Sequence, residues 1–234
     1  MTQDPNRQPA TQQLLLVRQL GLADYDFVWA LQKALAADRI SGALAHDTLL
    51  LVQHPAVVTL GRSTKREHLL SAPEYLAARG ILLRDVERGG DVTVHEPGQL
   101  VAYPIFDLKQ HTKDLHWYLR QIEESVIRAI AEFGVVGIRS SGQTGVWIAN
   151  RKIASIGVHA RDWVTWHGVA LNVNNTLATF DHIVPCGIDS VIMTTIANEC
   201  AMTDTDAPSI DAVSDALARS VAHVFGLQLA YAND

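Results

Sequence analysis

Apolar residues along this chain follow two recurring patterns: short runs of strand length, and longer stretches in which they return every three or four positions. Residues 14–20 (LLLVRQL) follow a polar start and read as a first strand. Asp24 suits a helix N-cap, and Phe27, Val28, Leu31, Ala34 and Leu35 then fall at helical spacing as far as Arg39. A strand over 47–53 (DTLLLVQ) is broken by His54-Pro55, resumes over 56–60 and stops at Gly61-Arg62. Ser71, Pro73 and Glu74 open a short helix that Gly80 ends, and 81–86 form another strand. Two turns, Gly89-Gly90 and Pro97-Gly98, then bracket short strands over 91–95 and 99–104.

Asp114 starts the longest helical pattern, with Leu115, Tyr118, Leu119, Ile122, Val126, Ile130 and Phe133 on one face. Three strand-like runs (145–149, 153–159 and 168–173) come next, and the segment closes on Pro185-Cys186-Gly187. An amphipathic helix over 211–225 ends at Gly226, before a last strand over 227–231. No repeat, low-complexity block or linker divides the chain. Strands and helices mix without regular alternation, which predicts an α+β fold: one domain, 14–234, with a mixed sheet packed by helices rather than a doubly wound parallel sheet. The polar stretch 1–13 reads as a disordered, dispensable arm.

Composition narrows the classes. With 48% hydrophobic and 19% charged residues the chain can bury a sizeable core. A net charge of −6 gives no electrostatic footprint for nucleic acid or an anionic membrane, although an acidic partner can still dock on a local basic patch. The start carries neither a signal-peptide nor a transit-peptide pattern, and no apolar run approaches the roughly 18 residues of a membrane helix. Cys186 and Cys200 are therefore expected as reduced thiols in a cytoplasmic protein.

Two places carry chemistry. Lys152 opens one strand and Cys186 sits 34 positions later in a rigid Pro-Cys-Gly corner, so one amine and one thiol could meet on neighbouring strand ends. A free thiol near pKa 8.5 is only a few per cent thiolate at neutral pH, and a nearby ammonium favours the anion. Most isolated Cys–Lys pairs are nothing more than a buried thiol and a solvated amine. In Arg88-Gly89-Gly90 the glycines allow close backbone approach while the guanidinium meets an oxygen; a hairpin with a surface charge fits that stretch equally well. It matches neither GxxxxGK[ST] nor GxGxxG. Ten histidines suggest a metal, with His159 and His167, or His95 and Cys186, as converging pairs. HExxH and paired Cys-His spacings are absent, so no metal is expected. A serine hydrolase lacks its GxSxG elbow, whereas His95, His159, His167 or His182 could orient the thiol of a Cys-His hydrolase.

Taken together, RGGDVTVHEPGQLVAYP (88–104), RKIASIGVHARDWVTWHGVALNVN (151–174) and PCGI (185–188) resemble the lipoyl(octanoyl) transferase family across nearly the whole chain. The order and spacing of the three motifs carry that resemblance. It implies a fold shared with biotin and lipoate protein ligases, its sheet largely antiparallel, and transfer of an octanoyl or lipoyl group from acyl carrier protein to a lysine of lipoyl domains. Those domains belong to 2-oxoacid dehydrogenase complexes and the glycine cleavage H protein. It places the thioester cysteine on Cys186 and the lysine that favours its thiolate on Lys152, with no cofactor. Acyl binding falls on Arg88, Gly89, Gly90, Asp91, Val92, Thr93, Val94 and His95, on Ser155, Ile156 and Gly157, and on Gly168, Val169 and Ala170. Ile156, Val158 and Val169 would line the acyl tunnel, and backbone N–H groups near Gly157, the 168–170 turn or Cys186 would stabilise an oxyanion. Glu96 departs from the pattern, because the family has HGPGQ where this chain has HEPGQ. Two other readings compete: an ATP-dependent ligase on the same fold, and a non-catalytic acyl- or lipoyl-domain-binding protein.

Overall fold

The computed structural model describes residues 13–188 and 191–232; the polar start, apart from Gln13, lies outside the described residues. In chain order the elements are β1 (Leu14–Leu22), α1 (Tyr25–Ser41), β2 (Asp47–Gln53), β3 (Val57–Leu60), α2 (Pro73–Ala78), β4 (Leu82–Asp85), β5 (Val92–His95) and β6 (Gln99–Ile105). They continue with α3 (Leu115–Ala131), β7 (Ile138–Ser140), β8 (Gln143–Ile148), β9 (Arg151–Arg161), β10 (Val164–Asn172), β11 (Ile192–Met193), α4 (Ile196–Met202), α5 (Ile210–Phe225) and β12 (Gln228–Tyr231).

Among the described residues, nine strands form one sheet in the order β12-β1-β2-β6-β10-β9-β8-β7, with β11 beside the start of β9. β1 runs parallel to β12 and β2, β11 runs parallel to β9, and the remaining pairs are antiparallel. A second sheet has the order β4-β3-β5. The expected mixed, largely antiparallel sheet packed by helices is the observed one.

β6 and β10 are buried along their whole length because helices cover both faces of the large sheet. Leu49 and Leu51 of β2 join the core beneath α3 and α5, while Leu50 and Val52 face the other way with Val28 of α1. This period of two inside an unbroken apolar run is the signature of a strand with two dry faces.

The buried stripe of α1 is Tyr25, Val28, Gln32, Ala36 and Arg39, whereas Phe27 is 63% exposed. Polar Gln32 and Arg39 face inward because they have partners there: Gln32 Oε1 accepts from the His167 N–H at 2.9 Å, and Arg39 pairs with buried Asp47 at 3.1 Å. Leu115 likewise lies on the exposed side of α3. β9 and β10 extend past their expected ends into a hairpin closed by Asp162 (φ 51°) and Trp163 (φ 65°). Both residues have positive φ without a glycine, so the turn carries none of the usual two-residue hairpin signals. The sequence reading also lacked β7, β11 and α4, the first two being only three and two residues long.

Candidate active site

Residues from both sheets line a cavity of about 350 Å³, within the range of small-molecule sites. Lys152 is the second residue of β9 and is 1% exposed. β11 pairs alongside it, and the Thr194 N–H donates to its carbonyl at 2.9 Å. On the other side, Gly145 of β8 makes room: a Cβ there (φ +135°) would lie 2.8 Å from Lys152 Cε and 2.6 Å from the Ala154 carbonyl oxygen. Lys152 Nζ sits 5.3 Å from the centre of the Trp147 ring and donates to Cys186 Sγ at 3.2 Å. Among the described residues no carboxylate pairs with this amine. The sulfur is the hydrogen-bond partner that the fold gives this buried amine.

Cys186 is not at a strand end, as the sequence suggested, but in the turn Pro185–Gly187, where it is left-handed (φ 57°, ψ 18°). A non-glycine residue in that region costs of order 1 kcal/mol and persists only where its surroundings fix it. Here they do. Gly187 (φ +65°) lies so close to the His68–Asp91 pair that a Cβ would come within 2.5 Å of Asp91 Oδ2 and 2.8 Å of His68 Cε1. The Val184 N–H also donates to the His68 carbonyl at 2.8 Å. The Cys186 N–H makes no hydrogen bond among the described residues.

β9 carries one extra residue opposite the Val146–Trp147 step, since Val146 pairs with Ala154 but Trp147 with Lys152. A bulge of this kind re-phases the strand. Lys152 and Ser155, three apart, therefore both reach the sulfur; Sγ–H to Ser155 Oγ spans 3.8 Å. No histidine hydrogen-bonds to Cys186 among the described residues. His182 contacts Ser71 and Tyr75, and His159 packs at a tilt against Trp166. Cys200 is buried in the main core, and both cysteines are free thiols.

Of the segment singled out in the sequence, Arg88, Gly89, Gly90, Asp91, Thr93 and His95 line the cavity, as do Ser155, Ile156, Gly157, Gly168, Val169, Ala170 and Val158. Val92 and Val94 do not: β5 alternates, and they point into a separate cluster with Val58, Leu76 and Phe180. Gly168 to Ala170 lie inside β10 rather than on a turn. Gly157 and Gly168 face each other across the β9–β10 ladder. A side chain on Gly157 would meet the Gly89 carbonyl at 2.8 Å, and one on Gly168 would overlap the Ala102 carbonyl. Leu119, Tyr103 and the Gly142–Thr144 edge also line the cavity, although the sequence assigned none of them to the site.

Arg88 is buried and, among the described residues, has no carboxylate partner. Its guanidinium donates to Thr59 Oγ1 and, at 2.7 Å, to the Thr59 carbonyl. Burial pulls it below the usual guanidinium range, opposed by Tyr25 and Cys186. Beside it, Glu87 is held well below the usual carboxylate range: burial alone would raise it, but bonds from His167, Trp166 and Trp29 outweigh that.

Burial also holds His95 down to about 3 and His54 down to about 4. Both remain neutral in the folded protein, and Nδ1–H of His95 donates to Gln99 Oε1 at 2.8 Å. In the unfolded chain these rings take up protons near pH 6.5. Stability is therefore complete above that pH and is lost as pH falls from about 6.5 through the folded values of about 4 and 3. Melting temperature should drop across this window, and His54→Gln should flatten the drop; an unchanged slope in that variant would refute the assignment.

Among the described residues no group of three or more His, Cys, Asp or Glu side chains converges as for a metal ion, and no helix is long and apolar enough to cross a membrane.

Residues 24–222 match the lipoyl protein ligase A/B catalytic domain family. An octanoyltransferase of Chloroflexus aurantiacus is 46% identical over 217 residues, covering 92% of this chain and 95% of its own. An octanoyltransferase of Thermosynechococcus vestitus is 42% identical over 211 residues, 90% of each chain. Among solved structures, a bipartite lipoate protein ligase of Thermoplasma acidophilum, studied with its E2 lipoyl domain, superposes with a TM-score of 0.67 at 18% identity. That match covers 95% of this chain and 88% of the ligase.

Proposed function

The chain belongs to the lipoyl protein ligase A/B catalytic domain family and is an acyltransferase that moves octanoyl groups in protein lipoylation, and from that premise we propose that it works through a thioester on Cys186. The donor is octanoyl-acyl carrier protein. The acceptors are lysines of lipoyl domains, those of 2-oxoacid dehydrogenase complexes and of the glycine cleavage H protein. The 3.2 Å contact between Lys152 Nζ and Cys186 Sγ at the cavity wall carries this reading.

In the first half-reaction the Cys186 thiolate attacks the thioester carbonyl. The bond to the phosphopantetheine sulfur breaks, and the departing thiolate takes a proton from the Lys152 ammonium. The octanoyl chain now hangs from Cys186 along Ile156, Val158 and Val169, where scarce water slows hydrolysis. In the second half-reaction the acceptor amine, entering neutral, attacks the same carbonyl, and Lys152 removes its surplus proton as a general base. The new C–N bond expels Cys186 as thiolate, so Lys152 regains the proton it gave up and the pair is restored. The Cys186 N–H, without a hydrogen bond among the described residues, is a ready donor to the oxyanion in both steps. Thioester-to-amide transfer is downhill and needs no ATP. The protein is soluble in the cytoplasm on this reading.

Intact mass after mixing with octanoyl-acyl carrier protein, without ATP, is the test. A hydroxylamine-labile octanoyl adduct on the wild type but not on Cys186→Ser is expected. Amide formation that needs ATP and survives in Cys186→Ser would make the protein a ligase, and donor binding with neither adduct nor amide a non-catalytic binder. Gly145→Ala should push Lys152 off the sulfur and lower turnover by roughly 10²-fold, since misplacement by about 1 Å has that effect. Full turnover in this variant would mean that the glycine gap is unimportant.

A further inference from the structure

Glu96 stands where the family pattern has glycine, and it does not face solvent: it is 4% exposed, and among the described residues it forms no ion pair and its hydrogen-bond partners are all neutral donors. Oε1 accepts from Asn175 Nδ2 at 2.9 Å and the Leu177 N–H at 2.8 Å; Oε2 accepts from Thr179 Oγ1 at 2.6 Å and the Thr179 N–H at 3.4 Å. The turn bearing it is pressed against the same segment, because a Cβ on Gly98 would lie 2.7 Å from the Asn175 nitrogen. Leu177, held by Oε1, is itself left-handed (φ 64°). From Thr179 a short helical turn leads through Ile183, which bridges to Leu69, and through Val184 into Pro185–Gly187.

A second branch leads to the lysine. Asn175 Nδ2 also reaches Asn172 Oδ1 (3.3 Å), which accepts from Gln99 Nε2 (2.9 Å). Asn172 Nδ2 donates to the Thr194 carbonyl at 3.0 Å, and the Thr194 N–H holds the Lys152 carbonyl. One buried carboxylate thus ties down both the approach to Cys186 and the strand start that carries Lys152.

We propose that Glu96 is a positioning residue that fixes the Cys186 turn against Lys152. This rests on Cys186 and Lys152 being the reacting pair. Among the described residues, the charged and titratable groups around the Cys186 turn are Lys152 from β9, Arg88 from the loop before β5, and the His68–Asp91 pair against Gly187. Glu96 acts on the sulfur only through the segment it holds. Glutamine is a poor substitute: its NH₂ would meet either Leu177 N–H and Asn175 NH₂, or the Thr179 N–H, leaving the Thr179 hydroxyl as the one partner able to reverse its role.

The test is the rate of Cys186 alkylation by iodoacetamide against pH, followed by mass in folded protein, for wild type, Glu96→Gly, Glu96→Gln and Lys152→Met. Glu96→Gly should lower the rate at pH 7 about tenfold and move the profile toward that of a free thiol, with Glu96→Gln in between. An unchanged profile in folded Glu96→Gly, or in Glu96→Gln should the glycine variant not fold, overturns the positioning role, even if melting temperature falls. Lys152→Met separates the two claims. If it leaves the profile unmoved, the reacting pair itself is wrong; if it moves the profile and the Glu96 variants do not, only the positioning role fails.

Discussion

Cys186→Ser is expected to lose octanoyl transfer by at least about 10³-fold, with no acyl adduct, while the melting temperature stays near that of the wild type. Serine nearly preserves shape, so the left-handed turn and its contacts with His68 and Asp91 should survive. What changes is the nucleophile. A hydroxyl beside an ammonium gains little alkoxide at neutral pH, whereas thiols as a class, with pKa about 8.5, ionise far more readily, and the one here lies 3.2 Å from Lys152 Nζ. Cys186→Ala should be equally inactive, which would separate loss of the sulfur from a slow oxygen ester. The check is single-turnover transfer with octanoyl-acyl carrier protein and a lipoyl domain. Retained transfer above about one tenth of wild type in either variant would exclude the thioester route.

Much of the framework was legible because burial and period coincide. β2 alternates Leu49 and Leu51 against Leu50 and Val52 between two dry faces, and α5 starts and stops within a residue of its sequence signals. The misreadings arise where tertiary partners override local pattern. Phe27 lies in a helical stripe by spacing, yet α1 turns Gln32 and Arg39 inward because His167 and Asp47 offer them partners. The period of two in β5 separates Val92 and Val94 from Thr93 and His95; the segment reads as a short strand, but the resemblance assigned its residues to the site as one motif. Other features depend on three-dimensional closure and leave no local trace. The bulge in β9 that aligns Ser155 with Lys152, the glycine gap at Gly145 and the cradle of Thr59 around Arg88 each join residues whose pairing is set by the fold. Lys152 and Cys186 could be named from their motifs; that they touch is a property of the β9–β11 edge and of the turn above it.

Lys152→Met should reduce turnover by about 10³-fold, and its two half-reactions should respond differently to pH. Methionine fills the buried channel beside Gly145 and Trp147 without a charge, so folding should be little affected. In acylation the ammonium supports the thiolate and protonates the departing sulfur. Raising pH toward the ordinary range of a free thiol, about 8.5, ionises Cys186 without help, and the variant's acylation rate should recover most of the loss there. Transfer to the acceptor amine has no such remedy, since hydroxide at these pH values cannot replace a base held inside the cavity. The octanoyl-enzyme should therefore accumulate in Lys152→Met at high pH when donor and lipoyl domain are both present. Lys152→Arg should also fail in the second step, because a guanidinium does not release its proton. Rapid-quench mass measurement of the octanoyl-enzyme against octanoylated lipoyl domain follows both steps at once. If the two steps slow by the same factor at every pH, Lys152 serves only as a fixed charge, and the base for the acceptor amine lies elsewhere in the cavity.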